Sequence, residues 1–332
     1  MNIQSVNILP DHSREANSHE TMLDYFLSFP IDKWKYLGPD FNRAKFNTRL
    51  KTLAETHENF SIANIQDIYS PLAEFFYVCY RDAMIVKQSR SHFLAMAEPI
   101  TPFIIGVAGS VASGKSSLSF LLKSIFESFN EGIKVDVVST DSFLLNNDAL
   151  HEVGIFDKKG FPISYRRAEL LKFVQDVSAG FPNLTCPVYS HKLGDIIPDR
   201  RQVIDRPNVL ILEGLNILQT YHTSTKQESE FISDYFDVSL FLDVELQNLE
   251  AWYVDRFLTL ARQAQADKTA AHHKYHKQSL EERIQTAKRI WNHVNAKNFA
   301  ENILSSRQRA DIIIHKTDHH MVDKIMISKH WL

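Results

Sequence analysis

The chain is poor in cysteine, with only two among its 332 residues. Cys79 lies in the apolar run FFYVCY and Cys186 lies in LTCPVY, so the two are isolated and form no CxxC pair. Disulfide frameworks need several paired cysteines and persist mainly in oxidising compartments. This cysteine usage therefore favours a reducing compartment over a secreted disulfide scaffold.

Three other features are missing from the sequence. It has no run of about 18 apolar residues, so we expect no membrane-spanning helix. Its first residues lack the basic start and apolar core of a secretory signal. Lys and Arg (37) do not exceed Asp and Glu (40), and the net charge of −3 predicts neither a nucleic-acid nor a membrane partner. We therefore expect a cytoplasmic protein, whose ligand can still be a small anion.

Short apolar runs alternate with helical segments after Pro102. The runs are FIIGVAG (103–109), VDVVSTDSF (135–143), NVLILEGLNIL (208–218), DVSLFLDV (237–244) and ADIIIHK (310–316). This alternation predicts an α/β fold, a parallel sheet with helices on both faces. Apolar residues recur at helical spacing from Met22 to Met96, which predicts an N-terminal helical extension. We expect a flexible terminus (1–20) and a single domain (21–332), divided into the extension (21–100) and the core (101–332).

The segment GSVASGKS fits G-x-x-x-x-G-K-[ST] and lies between a predicted strand and the predicted helix 116–129. In this context backbone N–H groups surround phosphate oxygens, Lys115 reaches the terminal phosphates and the Ser116 hydroxyl can bind Mg²⁺. The alternative is an ordinary glycine turn beside an exposed lysine. We predict a P-loop nucleotide site, with cofactor-binding residues Gly109, Ser110, Val111, Ala112, Ser113, Gly114, Lys115 and Ser116.

Acidic residues end three of the predicted strands, at the edge where open α/β sheets bind ligands. Asp141 is placed to accept a proton from an attacking hydroxyl, and Glu213 is placed to hold Mg²⁺ directly or through water. Either carboxylate can instead cap the turn that follows it. For Asp243 a helix follows at once, so we predict a helix cap.

Arg256 shares one helix face with Tyr253 and Phe257 in LQNLEAWYVDRFLTLARQAQ. An arginine that reaches over a phosphoryl site stabilises charge on the transferring group. The alternative is a solvated arginine paired with Asp255 or Glu250, and periodicity alone leaves both open.

The stretch QADKTAAHHKYHKQS (265–279) is polar and rich in histidine, so we predict a mobile loop near a lid. His272 and His276 are four residues apart, as metal ligands on a helix can be, but no third ligand supports such a site. We expect a solvated loop here.

Several motifs together resemble bacterial-type pantothenate kinases, relatives of phosphoribulokinase and uridine kinase. In chain order they are IYSPLA (68–73), IIGVAGSVASGKSS (104–117), STDSFL (139–144), KKGFPISY (158–165), PVYSH (187–191), DIIPD (195–199), LILEGLNILQ (210–219), WYVDRF (252–257) and NILSSRQRAD (302–311). The P-loop alone gives only the superfamily. KKGFPISY, PVYSH and LILEGLNILQ distinguish this resemblance from uridine kinase.

The resemblance implies an ATP- and Mg²⁺-dependent kinase that phosphorylates pantothenate, with Asp141 as the base, Lys115 on the phosphates and Arg256 on the transferring group. It also implies a homodimer inhibited by coenzyme A at the ATP site. It places Lys316 and His320 near the adenine. The substrate pocket that it implies is lined by Tyr189, His191, Tyr253, Tyr275 and Asn295.

The chain departs from the family pattern at a few positions. Phe120 stands where relatives have a basic residue for a coenzyme A phosphate, which predicts altered feedback inhibition. Ala271 and His272 replace aromatic residues, and His57 replaces an Asn near the adenine. Two other functions stay open, namely a sugar or nucleoside kinase of the same fold and a nucleotide-binding regulator without transfer activity.

Overall fold

The computed structural model describes residues 23–37, 64–97, 101–129, 132–220 and 230–332. The predicted flexible terminus (1–20) and His57 lie outside these residues, and the predicted domain boundaries stay a prediction. In the described ranges, no helix is both long enough and apolar enough to span a bilayer.

The described chain combines nine strands with eight α-helices. The strands are β1 (Phe26–Pro30), β2 (Phe103–Gly109), β3 (Val135–Ser139), β4 (Leu184–Ser190), β5 (Asp195–Ile204), β6 (Val209–Gly214), β7 (Val238–Val244), β8 (Ile312–Lys316) and β9 (Val322–Ser328). The helices are α1 (Ile31–Trp34), α2 (Ser70–Phe93), α3 (Lys115–Phe129), α4 (Asn147–Glu152), α5 (Arg167–Ser178), α6 (Leu246–Gln263), α7 (Leu280–Ile290) and α8 (Ala296–Asn298).

Seven strands form one sheet in the order β1-β9-β8-β7-β2-β6-β3. The five predicted apolar runs supply β2, β3, β6, β7 and β8, which pair in parallel. β9 runs antiparallel to both of its neighbours, β8 and β1. The predicted α/β fold is confirmed, with the correction that the sheet is mixed at this edge.

Both faces of the sheet are covered, as the continuous apolar strands predict. In β2, Ile105 and Val107 pack into one core cluster with residues of α2 and α3. Ile104 and Ala108, which point the other way, pack with residues of α5 and α6. Alternate side chains of one buried strand thus enter two different cores, one on each face of the sheet. This alternation is the physical basis of the layered fold.

The region predicted as a helical extension contains α2, preceded by a π-helical turn (Ile65–Tyr69). Leu72 and Phe76 of α2 are fully buried against the sheet. The prediction is wrong for residues 26–30, because FLSFP forms edge strand β1 instead of a helix. Its pairing with β9 depends on a partner about 300 residues away in sequence, which local periodicity does not reveal.

Two local features bring the site residues to the sheet edge. The predicted strand 135–143 ends at Ser139, because the Ser139 hydroxyl accepts a hydrogen bond from Asp141 N and starts a 3₁₀ turn (Thr140–Phe143). β4 and β5 form a separate antiparallel hairpin, which the sequence did not predict. Its tip carries residues 190–195 toward the same end of the sheet.

Gly214 is the last residue of β6 and lies directly beside Thr140, the first residue of the 3₁₀ turn Thr140–Phe143. A Cβ at Gly214 would lie 2.0 Å from Thr140 Oγ1, too close for any real contact. Gly214→Ala is therefore expected to lower the free energy of unfolding by about 1–3 kcal/mol through overpacking and to displace the turn that carries Asp141. Urea unfolding measures the loss. Gly154→Ala is the control, since a Cβ there meets nothing within 4 Å and only its φ of +70° costs stability; equal losses in both variants would contradict the close-contact explanation.

Candidate active site

The loop between β2 and α3 has the geometry of a phosphate-binding loop. Gly109 and Gly114 have φ values of +146° and +97°, which non-glycine residues rarely adopt. Ser113 N and Oγ both lie within hydrogen-bond distance of Ser110 O, at 3.3 and 2.9 Å, and close the loop. α3 begins at Lys115 directly after it. The positive end of this helix therefore faces the loop, as the motif requires.

Lys115 and Ser116 stand at the start of α3 and contact groups of the sheet edge. Lys115 Nζ donates a hydrogen bond of 2.8 Å to Ser110 O. Burial lowers the pKa of Lys115, while the carboxylates of Glu213 and Asp141 act against that shift. The ammonium group is thus held between the loop and two acidic side chains.

Glu213 is a buried carboxylate, 5% exposed, near the end of β6. Its Oε1 accepts a hydrogen bond of 2.8 Å from the Ser116 hydroxyl, while Oε2 has no partner with hydrogen-bond geometry among the described residues. Burial raises the pKa of Glu213, and Lys115, Ser116 and the nearby Ser139 hydroxyl oppose that shift. A buried carboxylate oxygen that the protein leaves unsatisfied fits a cation ligand.

Asp141 lies at the same sheet edge as Glu213. β3 and β6 pair in parallel with Ser139 opposite Glu213, so the residues that follow both strands emerge side by side. Tyr165 donates a hydrogen bond of 3.2 Å to Asp141 Oδ1. The two predicted strand-end carboxylates are therefore neighbours, as expected.

A first cavity of about 780 Å³ lies against the loop and α6. Lys316 and His320, predicted to lie near the adenine, both line it. Lys316 Nζ donates to Ser113 O at 2.9 Å, and burial lowers the pKa of Lys316 to about 8. The His320 ring stacks on Trp252 at 3.7 Å, and burial lowers the pKa of His320 to about 4, so its imidazole is neutral at pH 7. The cavity thus offers a flat aromatic pair beside a phosphate-binding loop.

A second cavity of about 530 Å³ adjoins the first and contains Asp141 in its lining. All five residues predicted for the substrate pocket line it, namely Tyr189, His191, Tyr253, Tyr275 and Asn295. They come from the β4–β5 hairpin, α6, a 3₁₀ turn (Ala271–Tyr275) and a π-helical turn (Trp291–Asn295) that follows α7. α7 is fixed at its start by a capping box between Ser279 and Glu282.

The five side chains predicted to bind the substrate in the second cavity are polar and uncharged. Burial raises the pKa of Tyr253 to about 12, and Asn295 hydrogen-bonds its hydroxyl. Burial and the guanidinium of Arg256 lower the pKa of His191, so a neutral imidazole faces the cavity at pH 7. Tyr189 packs edge-to-face against His191 with ring centroids 5.3 Å apart. These groups suit a small polar molecule with hydroxyl and amide groups.

The two cavities meet at a few shared residues. Lys115, Ser116 and Arg256 line both of them. In the described ranges no ion pair joins Arg256 to Asp255 or Glu250, so the alternative of a solvated pair finds no support. The guanidinium instead stands beside the phosphate-binding loop. The catalytic role of Arg256 stays a prediction.

The chain is similar to known proteins over most of its length. The family model "Phosphoribulokinase / Uridine kinase family" matches residues 104–258. A pantothenate kinase of Mannheimia succiniciproducens is 38% identical over 92% of this chain and 95% of its own length. One from Haemophilus influenzae is 39% identical over 92% of this chain and 97% of its own length. The chain belongs to the pantothenate kinase family.

Membership in the pantothenate kinase family makes the chain a P-loop kinase. The fold agrees with that of D-glycerate 3-kinase from Cryptococcus neoformans, with a TM-score of 0.50, 14% identity, and coverage of 76% of this chain and 97% of that one. At that identity the likeness shows the fold alone. The pantothenate kinase relatives confirm, at the level of the family, the resemblance stated from the motifs.

Two residues of the KKGFPISY segment contact the site without having been predicted from the sequence. Lys159 lines the second cavity, with Nζ 2.6 Å from Asn147 Oδ1, 2.5 Å from Gly194 O and 5.4 Å from the centre of the Tyr189 ring. Tyr165 reaches Asp141. The segment itself was recognised as characteristic of the pantothenate kinase family, but nothing in its spacing indicates where these two side chains point.

Two predictions are wrong. Asp243 does not cap α6, whose N-cap residue is Glu245; it forms an ion pair of 2.9 Å with Arg307 instead. His272 is not simply solvated, since it packs edge-to-face on Phe257 at 5.1 Å and lines the second cavity. Among the described residues no three His, Cys, Asp or Glu side chains are grouped to hold a metal ion.

Proposed function

We propose that the chain transfers the γ-phosphoryl group of ATP to the primary hydroxyl of pantothenate. The products are 4′-phosphopantothenate and ADP, in the first step of coenzyme A biosynthesis. The observation that carries the proposal is the meeting of two cavities at Lys115, Ser116 and Arg256, with Asp141 on the side of the second cavity. A donor and an acceptor bound in these cavities would face each other at the phosphate-binding loop.

ATP fits the first cavity by the chemistry of its lining. The loop residues 109–116 supply backbone donors and Lys115 for the phosphates. The stacked Trp252 and His320 rings offer an apolar surface for the adenine. Lys316 links this surface to the loop through Ser113 O.

Mg²⁺ fits the oxygen groups at the start of α3. Glu213 Oε2 lacks a partner and Ser116 Oγ lies beside the same carboxylate, and both are ligand types that Mg²⁺ prefers. We infer that these two residues hold the ion together with phosphate oxygens. When bound, Mg²⁺ would neutralise charge on the phosphates.

The transfer itself needs a base and positive charge at the junction. Asp141 accepts the proton of the acceptor hydroxyl as its oxygen forms a bond to the γ-phosphorus and the bond from that phosphorus to the ADP oxygen breaks. Lys115 and Arg256 stabilise the charge on the transferring group. In the second cavity, Tyr189, His191, Tyr253, Tyr275 and Asn295 hold pantothenate.

Glu213→Gln tests the metal site. The amide keeps the shape and the hydrogen bond from Ser116 but removes the negative charge, so we expect the Mg²⁺ concentration for half-maximal activity to rise about tenfold or more. Glu245→Gln, an exposed residue at the start of α6, is the control. A normal Mg²⁺ requirement in Glu213→Gln would contradict the assignment of Glu213 as a ligand.

An acceptor screen tests the function. ADP release is measured with Mg·ATP and pantothenate, uridine or ribulose 5-phosphate as acceptors. The proposal predicts turnover with pantothenate. Turnover only with another acceptor would favour a sugar or nucleoside kinase, and ATP binding without acceptor-dependent release would favour a regulator.

The assembly, compartment and regulation rest on the family resemblance. We propose a cytoplasmic homodimer in which coenzyme A competes with ATP. Phe120 lies on α3 with 42% of its surface exposed, where it cannot supply the positive charge that a coenzyme A phosphate needs. Inhibition by coenzyme A is therefore proposed to be weaker here than where a basic residue stands at this position.

A further inference from the structure

We propose that Tyr165 is a positioning residue for the reaction, which orients the Asp141 carboxylate from outside the substrate cavity. The proposal rests on the proposed function, because it assigns Asp141 as the base. Its starting observation is the hydrogen bond of 3.2 Å from the Tyr165 hydroxyl to Asp141 Oδ1.

Tyr165 reaches Asp141 through the wall of the site. Asp141 lines the second cavity, whereas Tyr165 lines neither of the two large cavities found in the described part of the chain. Tyr165 is 8% exposed and borders a separate small cavity of about 20 Å³ together with Thr140. Its side chain therefore lies outside the cavity assigned to pantothenate, and it reaches the reacting groups through Asp141.

Asp141 needs such a partner because of where it stands. The terminal torsion of an aspartate side chain is broad, so a carboxylate on a turn is poorly oriented by its backbone alone. A donor on Oδ1 restricts that rotation and leaves Oδ2 for the acceptor hydroxyl. At 3.2 Å the bond is longer than usual for a hydroxyl donor, as hydrogen bonds of catalytic groups often are before substrates bind.

The segment that carries Tyr165 is fixed to the turn that carries Asp141. Leu145 N donates to Ser164 O and Arg166 N donates to Phe143 O, each at 2.8 Å, on either side of the Leu144–Tyr165 bridge. The Arg166 side chain adds a bond of 3.1 Å to Ser142 O. The hydroxyl and the carboxylate are therefore held by one connected unit, which makes their separation a fixed property of the fold.

The KKGFPISY segment then contributes to the site in two ways. Lys159 lines the substrate cavity, and Tyr165 supports the base from behind. Between them, the buried Ser164 hydroxyl accepts from Gly160 N at 2.9 Å and donates to Phe161 O at 2.7 Å. This local network spaces the two side chains so that one contacts substrate and the other contacts Asp141.

Tyr165→Phe is the decisive variant, because it removes the hydroxyl and keeps the buried ring. We expect kcat with pantothenate to fall about 10- to 100-fold, the effect of losing one hydrogen bond to a charged group in the transition state. The KM values for pantothenate and ATP should change less than about twofold, since Tyr165 touches neither molecule. Tyr235→Phe is the matched control, because its hydroxyl bonds Glu230 and Gln175 far from Asp141 in sequence and outside both cavities.

A second pair of variants separates positioning from a merely structural role. With Asp141→Glu the longer side chain moves the carboxylate away from the Tyr165 hydroxyl, so adding Tyr165→Phe should then lower kcat by less than about twofold. A structural defect would instead lower kcat by the same factor in both backgrounds and would lower the unfolding midpoint more than Tyr235→Phe does.

The outcomes decide the proposal. A kcat within twofold of the wild type in Tyr165→Phe, a change confined to KM, or an equal loss with Asp and Glu at position 141 would each overturn it. Failure of the proposed function is a different result, seen when the wild type itself does not phosphorylate pantothenate.

Discussion

Asp141→Asn is expected to lower kcat for pantothenate phosphorylation by about 10²- to 10⁴-fold, the usual contribution of a general base. The amide keeps the size of the side chain but accepts no proton. Asp141 lines the cavity that we assign to pantothenate and stands at the strand edge next to Glu213. Its removal should therefore affect the chemical step more than the binding of ATP.

Steady-state ADP release at saturating pantothenate and Mg·ATP measures this loss, and urea unfolding checks that the variant folds. Asp176→Asn is the control, because Asp176 pairs with Lys172 on the exposed side of α5. An activity of Asp141→Asn close to that of the wild type would show that another group takes the proton.

Arg256→Ala is expected to lower kcat by about 10³-fold or more, the contribution of an arginine that stabilises the transferring phosphoryl group in GTPases. Arg256 lines both cavities at their junction. Arg256→Lys should recover only part of the rate, because lysine is a point charge without the planar fork of guanidinium.

Single-turnover experiments distinguish this effect from product release, and fluorescence titration of ATP checks binding. Arg262→Ala, an exposed residue near the end of the same helix, is the control. If Arg256→Ala weakened only ATP binding and left kcat unchanged, the arginine would be a ground-state ligand.

The central sheet and the phosphate loop could be predicted because their signals are local. Runs such as FIIGVAG carry no polar side chain, and every position of the strand is buried, as in strands covered on both faces. The loop residues Gly109, Gly114 and Lys115 need a fixed spacing in sequence, and the strand and helix around them confirmed the context.

Edge strand β1 and the β4–β5 hairpin could not be predicted for the opposite reason. β1 is a five-residue strand with a proline, and β5 (DIIPDRRQVI) is polar and also contains proline. Proline and charge weaken a strand signal even though edge strands tolerate both. Their pairing is decided by tertiary contacts.

Residues of the candidate site could be named from the sequence where a motif carries them, and could not be named where only the fold brings them together. The ion pair between Asp243 and Arg307 and the bond between Tyr165 and Asp141 join residues 64 and 24 positions apart. No periodic pattern connects such partners. The residues of the second cavity were named from the family resemblance, and the structure brings all five together.

The most direct test of the account is to follow the phosphoryl group. ³¹P NMR of wild-type protein with Mg·ATP and pantothenate should show ADP and a new phosphate monoester of pantothenate forming in equal amounts, with both signals lost in Asp141→Asn. ADP appearing with inorganic phosphate and no pantothenate ester would contradict the account, because the second cavity would then not hold pantothenate as the acceptor.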